Sequence, residues 1–406
     1  MKAFLGLRGG ITFENREGND TFLTTSHKLN TSLNNIIVIM EELKSYCLSM
    51  LYGVAVGDAL GAPFEHRGNQ IQLDEHQHVI IRGGFTVFSR FQGQKIYPPG
   101  QVTDDTEMTI ALMRALRAQV PQHTITYDRN IAISEYLAWG NSGCPFRGKN
   151  TRNHFSGITT AVGYERRCAR MTQERNDCLS NGHLMRCVPL VFVGITFTPG
   201  SAILINNTQL DEAIRADCSL TNPALECVTA ELWYVRLLRA FLLEHMAVHN
   251  PRPIERQRRA QIIDSLMTEI APIGINVPMF RAACDDAING RARNLSENKG
   301  LFAHAIYCTI FCLLHFDSMT EAYDWVIRDH PHSDTDTNAA IMGAAMAICL
   351  GNTVGIPGAP GALHDPVYEA NLARVLQNPT QITATTRPEI YRPNQFAIHI
   401  NQLFDH

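Results

Sequence analysis

HPHSDTDTNAAIMGAAM, residues 330–346, decides how this chain reads. Asp334 and Asp336 alternate with Thr335 and Thr337, and the alanine- and methionine-rich run after them fits only a buried helix. A helix N-terminus carries unpaired N–H groups and a partial positive charge, so one Asp there is ordinary capping. Two carboxylates at the mouth of a core helix exceed that need. TDDTEMTIALMRAL, residues 103–116, repeats the pattern, with Asp104 and Asp105 between Thr103 and Thr106. Two readings are open. The helices are independently capped, or their starts converge and crowd four carboxylates together. In the second case repulsion is severe, and only cations hold the groups ionised at low cost. Oxygen donors with threonine hydroxyls beside them favour Mg²⁺, Ca²⁺ or Mn²⁺ over zinc. The small-residue character of 339–351 and of MLYGVAVGDALGAPFEHR (50–67) lets helices approach closely at a bundle centre, and Glu65 follows as a third acidic contributor.

The rest of the chain bounds the problem. Its 406 residues are 45% hydrophobic and 18% charged, enough for a large core. A formal net charge of -4 supplies no global basic field for nucleic acid or an anionic membrane, so neither is expected as a partner. The basic run RQRRA (256–260) reads as a solvated helix face. The 11 cysteines are scattered without a C-x-x-C pair, which argues against structural zinc and fits a reducing compartment. His330 and His332 do not suggest zinc, because their neighbouring donors are hard oxygens. The N-terminal stretch lacks the apolar segment of a signal peptide. The longest apolar run, LFAHAIYCTIFCLLHF (301–316), is short for a membrane span, so a soluble cytoplasmic or otherwise intracellular protein is expected.

Residues 1–36 are polar and read as an N-terminal extension, 37–360 as a helical domain and 361–406 as a C-terminal tail. Helical periodicity is clear over 106–118, 225–245, 258–271, 301–316 and 319–328. Alternating strands are almost absent, and LVFVGITF (190–197) is ambiguous. The fold class expected is all-α.

GDALGAPFE (57–65), TDDTEM (103–108), NGHLMRCVPL (181–190) and SDTDTNAAIMGA (333–344) together resemble the ADP-ribosylglycohydrolase family in order and spacing, over roughly residues 45–357. That family includes the dinitrogenase reductase-activating glycohydrolases and the ADP-ribosyl-acceptor hydrolases. The resemblance implies a compact orthogonal multi-helix bundle around two divalent cations, usually Mg²⁺, with Mn²⁺ an alternative. The matching ligands are Thr103, Asp104, Asp105, Asp334, Asp336 and Thr337, with Asp334 or Asp336 able to bridge. Glu65 matches a glutamate on a loop that caps the metals. The implied catalytic residues are Glu65, Asp105 and Asp334, and the implied reaction is hydrolysis of the bond between ADP-ribose and an acceptor. The substrate would be ADP-ribose in conjugated form, on a protein or a small molecule. For its diphosphate, FRGKNTRNHF (146–155) supplies Gly148, Lys149 and Asn150, and NGHLMR supplies Asn181, Gly182 and His183. Met185 is expected in the core and Arg186 as an internal partner of a carboxylate.

The chain departs from the family pattern in three places. His332 and Ser333 replace two glycines and could narrow the approach to the metals. Arg147 stands near the position where one branch carries a catalytic Asp, so that role does not transfer. Thr-Asn-Pro at 221–223 replaces Thr-His-Pro, and Asn222 can still donate a hydrogen bond to substrate but cannot titrate near neutrality. These departures keep open a protein of the same fold that binds ADP-ribose without turnover, and the metal set is also compatible with a hydrolase of another N-glycoside or nucleotide. The acceptor and the oligomeric state are not legible.

Overall fold

The computed structural model describes residues 26–29, 33–65, 69, 72–89, 93–119, 123–196, 203–248, 252–270, 277–351, 365–377 and 387–404. The first 25 residues of the expected extension, and 378–386 of the expected tail, lie outside the described residues. The chain runs through β1 (Ser26–Leu29), α1 (Leu33–Glu65), β2 (Phe85–Ser89), β3 (Gly93–Tyr97), α2 (Asp104–Met113), β4 (Leu116–Gln119), β5 (Thr124–Tyr127) and α3 (Arg129–Gly140). It continues with α4 (Lys149–Phe155), α5 (Ala161–Arg170), α6 (Thr172–Asn176), β6 (Ile195–Thr196), β7 (Ile203–Asn206), α7 (Asn207–Thr221), α8 (Leu225–Val248) and α9 (Arg256–Ile270). The last elements are α10 (Pro278–Ile288), α11 (Phe302–His315), α12 (Met319–Ile327), α13 (Thr335–Cys349), α14 (Pro366–Leu376) and α15 (Gln395–Phe404). The architecture is helical, as the periodicity predicts.

At its centre α1 lies against α13. Three glycines of α1 at helical spacing, Gly53, Gly57 and Gly61, face the backbone of α13 at Gly343, Ala339 and Asp336. A Cβ on any of them would come within 3.0 Å of that backbone. The two helices touch main chain to main chain, and their ends are fixed by close packing rather than by interdigitated side chains. The segment Met40–Glu65 is apolar and long enough to cross a bilayer, but most of it is buried inside the protein. It is the core helix of a bundle.

Two small antiparallel sheets depart from the expectation that strands are nearly absent. One has the order β1-β7-β6-β5-β4 and the other is the β2–β3 hairpin. The helix expected over 106–118 stops at Met113, and Leu116–Gln119 pairs instead with Thr124–Tyr127. The ambiguous stretch at 190–197 ends a 3-10 turn (Val188–Phe192) and then supplies β6. These strands are two to five residues long, too short for hydrophobic alternation to stand out, and β1–β7 and β5–β6 pair across long stretches of chain. Ser26–Leu29, inside the expected extension, is the edge strand beside Ile203–Asn206. Arg186 is an internal partner as expected: its Nε donates to Asp217 Oδ2 at 3.0 Å, with both side chains fully buried. All eleven cysteines are free, and ten are buried.

Candidate functional site

Helix starts distinguish the two readings of the acidic doublets. Asp128, Thr160 and Ser318 cap α3, α5 and α12 with their own side chains, each accepting from N–H groups of the first turn. At the starts of α2 and α13 the N-cap residues Thr103 and Asp334 make no such bond. Asp104, Asp105, Asp334 and Asp336 are therefore buried at helix starts without serving as caps in the usual way. They meet instead at the centre of the molecule. One oxygen each of Asp58, Asp105 and Asp336 lies within 4.8 Å of the others, and so does one oxygen each of Glu65, Asp334 and Asp336. Asp336 belongs to both groups.

Asp58 escaped the sequence reading. It is fully buried on α1, in the middle of GDALG, and collects the donors at the start of α2. Its Oδ2 accepts from the N–H of Thr103 at 2.9 Å, the N–H of Thr106 at 3.1 Å and the Oγ1 of Thr106 at 2.6 Å. Its Oδ1 accepts from Thr103 Oγ1 at 2.8 Å. Asp58 thus caps α2 from a neighbouring helix, which frees Asp104 and Asp105 for other work. The signal was present: a lone carboxylate inside a glycine- and alanine-rich helical run is costly unless it has a dedicated set of donors.

The remaining predicted ligands assemble around this frame. Asp105 Oδ2 accepts from Thr103 Oγ1 at 3.1 Å, while its Oδ1 is buried with no hydrogen-bond partner. Asp334 Oδ2 accepts from Asn181 Nδ2 at 2.7 Å. Asp336 Oδ1 accepts from the N–H of Thr337 at 2.8 Å, and Thr337 itself lines the cavity beside it. Among the described residues no lysine or arginine forms an ion pair with Asp58, Asp104, Asp105, Asp334 or Asp336. Burial first, and then mutual repulsion, raise the proton affinity of the cluster. Asp58 is pushed up to about 6 by burial against four opposing hydrogen bonds, and Asp104 to about 8 by burial and by Asp58. Burial followed by the charges of their neighbours holds Asp105 and Asp336 well above the usual carboxylate range. Glu65 is open to solvent at the cavity mouth, yet dense packing around its carboxyl and the adjacent Asp334 raise it too.

An orphaned buried oxygen, unpaired carboxylates and an all-oxygen donor set fit a pair of hard divalent cations. This geometry has a consequence for stability. Between the ordinary carboxylate value of 3.8 and about 8, the folded cation-free chain holds protons that the unfolded chain has lost. Stability must therefore fall as pH rises through that window. In the presence of a chelator, Tm at pH 5.5 should exceed Tm at pH 8, and millimolar Mg²⁺ should raise Tm more at pH 8 than at pH 5.5. Thermal unfolding monitored by circular dichroism checks both signs.

A cavity of about 660 Å³ opens onto Glu65, Asp104, Asp334, Asp336 and Thr337. Its other walls come from α4 (Lys149, Asn150, Thr151, Asn153), α6 (Glu174), the segment Cys178, Ser180, Asn181, Gly182 and Met185, and from Phe146, Gly148, Met171 and Gly300. Its volume lies within the range of about 300–1,000 Å³ usual for small-ligand sites. Five of the seven predicted substrate-binding residues line it: Gly148, Lys149, Asn150, Asn181 and Gly182.

The other two are placed differently. His183 is fully buried away from the cavity walls, and its Nδ1 is 2.8 Å from Glu231 Oε2. In a 3-10 turn successive side chains point about 120° apart, so His183 faces the core while Asn181 and Gly182 face the cavity. Asn222 is also buried, behind the wall. Its Oδ1 accepts from Asn150 Nδ2 at 3.1 Å and its Nδ2 donates to Ser180 O at 3.1 Å, so it holds the wall and does not reach a ligand. Gly148 is partly committed as well, since its N–H donates to Asp104 Oδ2 at 3.2 Å. Met185, expected in the core, is buried but forms part of the cavity floor.

The departures from the family pattern leave the cavity open. Arg147 turns away, donating to Gly140 O at 2.6 Å and Ser156 Oγ at 2.7 Å. Ser333 is buried and His332 exposed, and neither lines the cavity. The expected narrowing at these positions is not present.

The family model described as ADP-ribosylglycohydrolase matches residues 40–383. An Acanthamoeba polyphaga mimivirus protein named as a candidate ADP-ribosyl glycohydrolase is 25% identical over 362 residues, covering 85% of this chain and 96% of its own. The ADP-ribosyl-[dinitrogen reductase] glycohydrolase of Rhodospirillum rubrum is 34% identical over 148 residues, covering 35% of this chain and 42% of its own. A solved structure titled "ADP-ribosylglycohydrolase-related protein complex" superposes with a TM-score of 0.50 at 20% identity, over 82% of this chain and 98% of that one.

Proposed function

This chain belongs to the ADP-ribosylglycohydrolase family, and from that premise we propose that it is a Mg²⁺-dependent hydrolase of the glycosidic bond between ADP-ribose and an acceptor. The observation that carries the reading is Asp336, shared by two carboxylate groups with which no lysine or arginine among the described residues forms an ion pair. Asp58, Asp105 and Asp336 would hold one cation, and Glu65, Asp334 and Asp336 the other, with Thr103 and Thr337 beside them and Asp104 at the cavity edge. When bound, the cations would supply positive charge that orients the ribose hydroxyls and keeps the carboxylates ionised.

The protein groups account for the rest of the reaction. Cleavage at the anomeric carbon builds positive charge on the sugar, and the carboxylates of Glu65 and Asp334 at the cavity face stabilise it. Glu65 is open to solvent at the cavity mouth, which supports a role for it in taking a proton from the attacking water. Lys149 supplies a cation for the diphosphate, and Asn150, braced by Asn222, lines the same wall.

Full-length protein incubated with ADP-ribosylated arginine and serine peptides tests the proposal. ADP-ribose should be released with Mg²⁺ or Mn²⁺ and not with chelator. No release with any divalent metal, alongside retained ADP-ribose binding in calorimetry, would establish the binding-only alternative.

A further inference from the structure

The segment beyond the family-matched region packs against the helix that carries Asp104 and Asp105. Arg387 lies just past residue 383, where the match ends, and is only 8% exposed. Its Nε donates to Glu107 Oε1 at 2.6 Å and its NH2 to Glu107 Oε2 at 2.9 Å, a two-pronged pair. Its NH1 also donates to Ser142 O at 2.9 Å and its NH2 to Ser142 Oγ at 2.6 Å. Glu107 is fully buried in the first turn of α2, the helix that begins with Asp104 and Asp105. Among the described residues, Trp139 Nε1 of α3 also donates to Glu107, at 2.8 Å. Ser142 stands at the head of the loop that leads from α3 to Gly148 and Lys149.

We propose that Arg387 is a positioning residue for the divalent-cation site. It fastens α2, which carries two predicted ligands, to the loop that carries the cavity wall. The physical reason is the cost of Glu107. A buried carboxylate stripped of its guanidinium cannot stay where it is, because removing one partner of a buried pair leaves an uncompensated charge. Glu107 must then take up a proton or be drawn toward water, and the second course shifts the first turn of α2, where Asp104 and Asp105 also lie. Trp139 offers one hydrogen bond and no charge, so it cannot hold the carboxylate alone. The loop beginning at Ser142 loses two anchors in the same change.

This inference rests on the proposed cation site, so the experiment must separate the two. Mg²⁺ binding is measured by titration calorimetry on full-length protein at a temperature where every variant is folded. If the unaltered protein binds no Mg²⁺, the cation site itself fails, and this proposal with it. If it binds, R387A should weaken Mg²⁺ about tenfold, and R387A/E107Q should recover to within about threefold, since no buried charge is then left to drag the helix. A merely structural bridge predicts something else: R387A lowers Tm, R387A/E107Q lowers it at least as much, and Mg²⁺ affinity is unchanged in both. That result overturns the proposal. Should R387A fail to fold, R387K serves instead. It keeps the charge but cannot span both Glu107 oxygens and Ser142, so an affinity equal to that of the unaltered protein overturns the proposal equally.

Discussion

Asp336→Asn should abolish hydrolysis and stabilise the cation-free protein in the same stroke. Asp336 is the one carboxylate common to both clusters, so the neutral amide weakens both cation positions at once. Loss of transition-state charge stabilisation of this kind lowers kcat on the order of a thousandfold. Mg²⁺ binding should fall below detection in the same calorimetric titration. The stability effect runs the other way. Asp336 is held well above the usual carboxylate range by burial and by Glu65, Asp105, Asp334 and Asp58. Removing it relieves repulsion that no arginine or lysine among the described residues offsets by an ion pair. In chelator at pH 8 the variant should therefore melt at a higher temperature than the unaltered protein, and Mg²⁺ should no longer raise its Tm. Strain stored at a functional site and released by its loss is the expected trade between activity and stability. A variant that melts lower in chelator and keeps its response to Mg²⁺ would refute the shared-carboxylate reading.

The second large effect is expected at Gly57. Helix propensity alone says that Gly57→Ala should help, by about 1 kcal/mol. The packing says otherwise. The added Cβ would stand within 3.0 Å of the carbonyl carbon and oxygen of Ala339 and of the Ala340 nitrogen, all main-chain atoms that no rotamer change can move. α1 and α13 would have to separate, at a cost of roughly 3 kcal/mol or more, which outweighs the propensity gain. Against a typical stability of about 5–15 kcal/mol this is a large share. Asp58 lies on one side of that interface and Asp336 on the other, so Mg²⁺ affinity should fall together with Tm. Thermal unfolding and calorimetry on Gly57→Ala check both. A substitution that leaves Tm unchanged would show that the helices are not in backbone contact.

These two residues mark what the sequence carried and what it could not. The acidic doublets at 104–105 and 334–336 and the small-residue runs were legible, because each is a local pattern whose cost or spacing has few explanations. Helix periodicity was likewise local, and the helices at 225–248, 256–270, 302–315 and 319–327 stand close to where it put them. Asp58 was overlooked because its role is to cap a helix 45 residues away, and nothing in GDALG itself names the donors. His183 was assigned to the ligand by adjacency to Asn181 and Gly182, but a 3-10 turn points neighbouring side chains in different directions. Gly148 lines the cavity and Asn222 stands behind its wall, and contacts with Asp104 and Asn150 occupy their hydrogen-bonding groups, which no local pattern announces.

What the sequence determined by itself is the inventory: which segments are helices, which of their ends carry surplus negative charge, and which runs are small enough to let backbones touch. Those properties follow from composition at helical spacing and need no knowledge of neighbours. Only the tertiary structure decided the assembly. It brought Asp58, Asp105 and Asp336 within 4.8 Å, turned His183 inward, sent Arg147 away from the cavity and inserted Arg387 beneath α2. Each of these depends on contacts between residues distant in the chain. Such contacts are fixed by which buried surfaces fit and which buried charges find partners, and a single strand of letters does not encode them in any local window.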